Sequence, residues 1–497
     1  MKIKMDKIFI LISIMISRCY LYNRFFGLLA RHLPVICVLG FAGIFGFAEP
    51  VLASQSGLDF SVHTLASKVP GKTALIVGGI QGDEPGGFNA AALIATRYKI
   101  LSGQVIVVPN LNFESIIKRS RGVYGDMNRK FDRVSKTDPE RQTIAKIKSM
   151  ITDPDVDFIL NLHDGSGFFT PTRESNMRNP DRWGQSIIVD QALMPAKYTG
   201  LFSDLAATAH QCAQDVNAHL IDTGHTVRVK NTRTVEGDEE MAKTLTFFAM
   251  KNHKPAFGVE ASKSFLTPGR VYYHLLAIES FLTKAGIRFE RDFVLTQNEI
   301  GKAIDKDIAL TLGEHRILLY AENIRNRINY LPMKKDSELQ FLGNNPLLAL
   351  VHNKSDFSLY HGNRCLSHLS PQYFEYDLGI DRIEMEVDGQ KKQVPFGSRI
   401  LVKEQFMVHP ISGHRVNIIG FTTQDVKDEA GLVVTRNDCV QRFSIDRDGR
   451  IFRIEVYRQG KFNGMVLADF RFRDKTDSIA HVTGGLCNEC NEEPLFR

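Results

Sequence analysis

After its first fifty-three residues, this chain of 497 has no apolar run long enough to cross a bilayer as a helix. Net charge is scarce as well. Of the formal +6, residues 1–53 carry +4: Lys2, Lys4, Lys7, Arg18, Arg24 and Arg31 against Asp6 and Glu49. The remainder is about +2 (+6 minus +4), which gives no electrostatic case for a nucleic-acid partner. Cysteine is sparse. Cys19 and Cys37 fall near the start, leaving Cys212, Cys365, Cys439, Cys487 and Cys490. That odd number cannot pair completely. The Cys487-x-x-Cys490 pair lacks the second pair that a structural zinc site needs. A local disulfide and an unpaired tail both stay open for it.

What is present is the composition of a globular protein, 43% hydrophobic and 24% charged. The length exceeds one ordinary core and predicts two or three domains. The N-terminus opens with basic residues and a short apolar run, Ile8 to Ile16. A second run, Leu33 to Phe47, follows Arg24, Arg31 and His32 and ends in Val51-Leu52-Ala53. Arg24 to Ala53 reads as a secretory signal cleaved after Ala53, with residues 1–20 an over-extended start. The alternative is an uncleaved anchor. Either way the body faces the outside of the inner membrane, in the periplasm.

Residues 58–288 alternate strand-like and helical patterns. Ala74–Val77, Gln104–Pro109, Asp157–Leu162 and Ala256–Val259 read as strands. Helical stretches lie near Pro139–Ile151, Leu201–Leu220, Glu239–Asn252 and Tyr272–Lys284. The alternation predicts an α/β domain, a mixed or parallel sheet covered by helices. In such sheets, ligands gather just past the carboxyl ends of the strands. Gln81 and Glu84 stand there three apart, with Pro85 placed to begin a helix whose body is Phe88–Tyr98. The later strands exit into Asn110 and Asn112, into His163, and into Glu260. Between the second and third strands lies a basic loop, Lys118–Lys130, either a solvated loop or a clamp for an anion.

Together, Gln81-x-x-Glu84, the GDMNR of 125–129, His163 in NLHDG and Glu260 in FGVEAS resemble the motifs of the zinc metallocarboxypeptidases of the carboxypeptidase A-like family. One departure is plain: Gln81 stands where that family has its first histidine. This narrows the resemblance to the secreted peptidoglycan DL-carboxypeptidases that determine helical cell shape in spiral bacteria. The resemblance implies a zinc ion on Gln81, Glu84 and His163, and Glu260 as the general base. It further implies Arg121 at the oxyanion, and Asn128 with Arg129 on the terminal carboxylate of the substrate. Trp183 and Thr246 are candidates for the pocket wall. The implied reaction removes terminal meso-diaminopimelate from the muramyl tripeptide and leaves a dipeptide. An amide oxygen is a poorer zinc donor than imidazole, so weaker metal retention is expected.

From about Phe289 the pattern changes to short alternating runs separated by turn signals. Asp388-Gly389 and Asp448-Gly449 are examples that predict tight hairpins. The resemblance implies a carboxypeptidase domain over 54–288, a small β-barrel over 289–380 and an immunoglobulin-like sandwich over 381–497. The β domains would hold the enzyme on peptidoglycan or on other cell-shape proteins, or simply support the peptidase. Two other readings stand beside the carboxypeptidase. One is an amidohydrolase of the aspartoacylase or succinylglutamate desuccinylase type. The other is a metal-free peptidoglycan-binding scaffold.

Overall fold

A computed structural model describes residues 52–53, 58–334, 341–422 and 426–471. The expected leader lies outside these residues apart from Leu52–Ala53, and so does the Cys487–Cys490 pair. Cys212, Cys365 and Cys439 are free thiols.

The first region is built on one seven-stranded mixed sheet. Its strands are β1 (His63–Ala66), β2 (Thr73–Val77), β3 (Gln104–Val108), β4 (Phe158–Gly165), β5 (Ser186–Val189), β6 (Arg228–Asn231) and β7 (Ala256–Ser262). Their order across the sheet is β6-β5-β7-β4-β2-β3-β1. β2 lies between parallel neighbours on both sides and is buried at every position. This is why it reads in sequence as an unbroken apolar run rather than an alternating one. Its side chains nonetheless part by face. Ala74 and Ile76 join the core beneath α1 (Pro85–Arg97), α3 (Leu205–Asn217) and α5 (Thr267–Lys284). Leu75 and Val77 join the core beneath α2 (Arg141–Ile151). The short helix α4 (Leu245–Lys251) sends residues into both cores.

Two strand boundaries differ from the sequence reading. β4 does not stop at Leu162, and β7 does not stop at Val259. Both run on, through Gly165 and Ser262, because they continue to pair with each other in parallel register to those residues. His163 and Glu260 therefore sit on strands rather than on exit loops. β1, β5 and β6 are three strands that the sequence reading left out.

The rest of the described chain is rich in β structure. Arg382–Val387 and Gln390–Pro395 form the hairpin expected at Asp388-Gly389, with positive φ at both turn residues. The hairpin expected at Asp448-Gly449 does not form. Gln441–Phe443 is a 3-10 turn, and the Asp446 carboxylate accepts the N–H groups of Arg450 and Ile451. A side chain closes that turn in place of a ladder. Two four-stranded sheets enclose the last core, one around Arg382–Val387 and the other around Ile451–Arg458 and Lys461–Asp469. The latter two strands are buried on both faces, because Ile451, Tyr457, Met465 and Leu467 join the core of the preceding β region.

The β region also meets the α/β region directly behind the Gln81–Glu84 turn. Phe88, Ala92, Phe113 and Ile116 pack with Leu347 and Ala349. Asn110 Nδ2 donates to Pro346 O at 3.0 Å, and Arg119 Nε donates to Asn363 O at 2.7 Å.

Candidate active site

The turn after β2 begins at Gly78-Gly79, where Gly79 takes a φ of 71° that a larger residue would resist. It ends on Glu84, which precedes Pro85 at the first turn of α1. The turn is held from below by Asp164. Its carboxylate accepts Gly86 N–H at 2.8 Å, Arg270 Nη1 at 3.1 Å and His274 Nε2 at 3.1 Å. Burial opposes ionisation of Asp164, but the bonds from His274, Arg270 and Gly86 outweigh it and hold its carboxyl below the ordinary range. Gly86 has to be glycine here, since a Cβ would lie 2.3 Å from Asp164 Oδ1.

Glu84 and His163 meet at the centre of the site. Both are buried, and His163 Nδ1 is 2.9 Å from Glu84 Oε2. Gln81 is buried beside them, and its Nε2 donates to Asp126 Oδ1 at 2.8 Å. That bond fixes the amide and leaves Oε1 as its free donor atom. Asp126 in turn accepts Arg121 Nε at 3.0 Å and Asn128 N at 2.9 Å. Burial raises the Asp126 pKa, but the bond from Gln81 and the charges of Arg121 and Arg129 bring it below the usual value.

Among the described residues no three His, Cys, Asp or Glu side chains cluster as a metal site. Two such groups, Glu84 and His163, do converge, with the amide oxygen of Gln81 as a third corner beside the carboxylate and the imidazole nitrogen. The donor set fits a divalent metal on a further observation. Asn161 Nδ2 lies 2.8 Å from His163 Nε2, while Asn161 Oδ1 is buried without a hydrogen-bond partner. Turning that amide over satisfies the stranded oxygen with Nε2–H, the tautomer that frees the Nδ1 lone pair for a metal.

Glu260 is the register partner of His163 on the adjacent strand. Burial, only partly offset by the charge of His163 and reinforced by that of Glu84, pushes its pKa up to about 8. Burial depresses His163, but the hydrogen bond and charge of Glu84 outweigh this and leave its pKa above 6.5.

Asn128 and Arg129 come from a single 3-10 turn, Met127–Arg129, capped by Asp126. Asn128 Oδ1 accepts Leu245 N–H at 2.9 Å, which turns its NH2 toward His163 Nε2, 3.3 Å away; once Nε2 carries the proton, this NH2 has no acceptor there and is left for a substrate carboxylate. Arg129 Nη1 donates to Asn128 O at 3.0 Å. All nine residues singled out in the sequence border one pocket of about 270 Å³. Within it, Glu84 touches His163, Arg121 Nη1 lies 3.8 Å from Glu84 Oε1, Glu260 pairs in register with His163, and Asn128 faces His163 with Arg129 bonded to its backbone. Trp183 and Thr246 complete the wall, and Lys230 Nζ sits 3.9 Å over the Trp183 ring.

Sequence reasoning missed Asp126, Asn161 and Lys263. Asp126 lies inside the GDMNR motif itself. Asn161 is two residues before His163 on the same strand face, a signal that strand periodicity offers. Lys263, three residues past Glu260, has no local signature.

The sequence matches two family models. Residues 58–305 match the catalytic domain of a carboxypeptidase controlling helical cell shape. Residues 376–471 match the C-terminal domain of a metallo-carboxypeptidase. Among solved structures, the chain is similar to the cell-shape determinant protein Csd4 of Helicobacter pylori in its apo form. Identity is 38%, with 83% of this chain and 100% of that one covered and a TM-score of 0.77. The form of that protein bound to diaminopimelate, described as a D,L-carboxypeptidase, is 39% identical over 82% of this chain and 99% of that one, with a TM-score of 0.76. Its tripeptide-bound form is 38% identical over 83% and 100%, also with a TM-score of 0.76. No curated protein sequence matches.

Proposed function

The chain belongs to the family of metallo-carboxypeptidases that control helical cell shape, and on that premise we propose that it trims peptidoglycan stems. It removes the terminal meso-diaminopimelate of the muramyl tripeptide and leaves a dipeptide. One observation carries this reading. Asn128 and Arg129, which would clamp a free carboxylate, border one pocket with Gln81, Glu84, His163 and Glu260, which would form the hydrolytic centre. A site that grips a chain terminus beside such a centre is that of an exopeptidase. The relatives solved with diaminopimelate and with a tripeptide supply the substrate class.

Gln81 Oε1, Glu84 and His163 Nδ1 would hold the metal, which we take to be zinc. When bound it supplies Lewis acidity, polarising the scissile carbonyl and making water acidic near neutral pH. The protein's own residues do the rest. Arg129 and Asn128 fix the terminal carboxylate, so only the last peptide bond reaches the centre. Arg121, its guanidinium held by Asp126, presents a fixed cation to the oxygen that gains charge in the transition state. Glu260 takes the proton of the attacking water and delivers it to the departing amine. Trp183 and Thr246 border the space for the side chain of the departing residue.

Residues 54–288 are the peptidase domain in this reading, followed by a small barrel over 289–380 and an immunoglobulin-like sandwich over 381–497. The two facing four-stranded sheets around the last core support the sandwich. The basic and apolar leader supports secretion to the periplasm, where the substrate is. The β domains would engage the wall or other cell-shape proteins.

The test is mass spectrometry of muramyl tripeptide incubated with zinc-loaded protein. The expected change is loss of one diaminopimelate, abolished by a chelator. An intact tripeptide with folded, metal-loaded protein overturns the proposal.

A further inference from the structure

The proposed substrate brings more carboxylates than the assigned residues can hold. Diaminopimelate has two. The residue ahead of it in a peptidoglycan stem is a D-glutamate joined through its γ-carboxyl. That linkage leaves an α-carboxylate free, three carbons upstream of the scissile carbonyl. Asn128 and Arg129 take the terminal carboxylate on the departing side. The opposite side needs its own cation.

Lys263 is placed to be that cation. It borders the pocket on the first residues past β7. Its backbone is fixed from two directions: its N–H donates to Gly165 O at 2.7 Å, and its carbonyl accepts Arg270 Nη2 at 2.9 Å. Its ammonium lies 2.7 Å from Asp83 Oδ2 and 3.6 Å from Glu84 Oε1. Asp83 accepts one of its three N–H donors, and Glu84 at 3.6 Å is a charge contact only. The side chain is 31% exposed, so a remaining donor can meet a ligand.

The contacts of the site run in series. Lys263 touches Glu84, Glu84 touches His163, His163 touches Asn128, and Asn128 touches Arg129. Lys263 is thus on the Glu84 side of the central pair by contact, and Asn128 with Arg129 on the His163 side. Of the other cations beside the centre, Arg121 is committed to Asp126 through Nε at 3.0 Å and Nη2 at 3.0 Å.

We infer that Lys263 determines substrate specificity by receiving the free α-carboxylate of the γ-linked D-glutamate on the non-departing side. This rests on the carboxypeptidase reading above and adds a second anchoring point to it. It also implies that a reaction converting this carboxylate to a carboxamide would shield stems from the enzyme.

The experiment compares two muramyl tripeptides that differ only there, one with γ-D-glutamate and one with γ-D-isoglutamine. Full-length, zinc-loaded protein is assayed on both. The wild type is expected to favour the carboxylate by about tenfold in kcat/KM, the size of one charge-assisted hydrogen bond. Lys263→Met should bring that ratio close to one, and Lys263→Arg should retain most of it. If Lys263 only neutralised Asp83 and Glu84, its loss would slow both substrates equally and leave the ratio intact. That outcome, or a wild type indifferent to the two stems, overturns the inference while leaving the carboxypeptidase reading standing. A wild type that cleaves neither overturns both.

Discussion

Glu260 and His163 are Cα register partners on adjacent parallel strands, so a half-buried acid and a buried imidazole share the floor of the site. Burial raises the Glu260 pKa to about 8, and the Glu84 bond raises that of His163. The sign of the effect on stability is the same for both. Each binds protons in the folded chain that the unfolded chain has already released. Metal-free protein should therefore lose stability as pH rises, between about 4.5 and 8 for Glu260 and above 6.5 for His163. The expected loss is roughly 1–3 kcal/mol between pH 5 and 8.5, read from denaturant midpoints. Glu260→Gln should remove much of the slope and at least 100-fold of the zinc-loaded activity. A flat profile in the unsubstituted protein would contradict the buried-acid account.

Asp126 orients the Gln81 amide through the 2.8 Å bond to Nε2. Partners of this kind contribute about 10- to 100-fold in metal affinity. Asp126→Ala should weaken zinc binding by that factor in a competition titration. Affinity should also rise with pH through the titration of His163, because the metal competes with protons for its ligands.

Arg129 is assigned to the terminal carboxylate. Arg129→Ala should cost about 100-fold in kcat/KM on a stem with a free terminus. It should cost far less on one whose terminus is amidated. Equal losses would remove Arg129 from that role.

Gly86 gives the clearest steric prediction. The Cβ of Gly86→Ala would lie 2.3 Å from Asp164 Oδ1 and 2.6 Å from Arg270 Cβ. The turn must then shift away from Asp164. We expect a loss of about 1–3 kcal/mol in stability, measured by urea unfolding, together with weakened zinc binding.

Much of the centre of this site was legible because Gln81, Glu84, His163 and Glu260 lie on or just past core strands with plain apolar runs. Ala74–Val77 and Phe158–Leu162 could be read from side-chain character alone. The strand ends could not, since the extension through His163 and Glu260 depends on each strand having the other to pair with. Ser186–Val189 is a four-residue run between loops, and Arg228–Asn231 carries two cations on an edge, so neither declares itself before the sheet is assembled. Lys263 is near Glu84 only because β7 lies beside β4, a contact between positions 179 residues apart. The shared core of the two β regions is hidden for a similar reason. Ile451–Arg458 carries Arg453 and Glu455 among its apolar residues, yet it is buried from Ile451 through Tyr457 because a second partner surface comes from residues 308–369.

The central claim is that Gln81, Glu84 and His163 form a metal centre despite the missing histidine. The most direct measurement is anomalous scattering at the zinc edge from zinc-soaked crystals. The account predicts one strong peak within coordination distance of Gln81 Oε1, Glu84 and His163 Nδ1, with Asn161 turned to accept His163 Nε2–H. Zinc elsewhere in a folded molecule, with Gln81 still facing only Asp126, would contradict it.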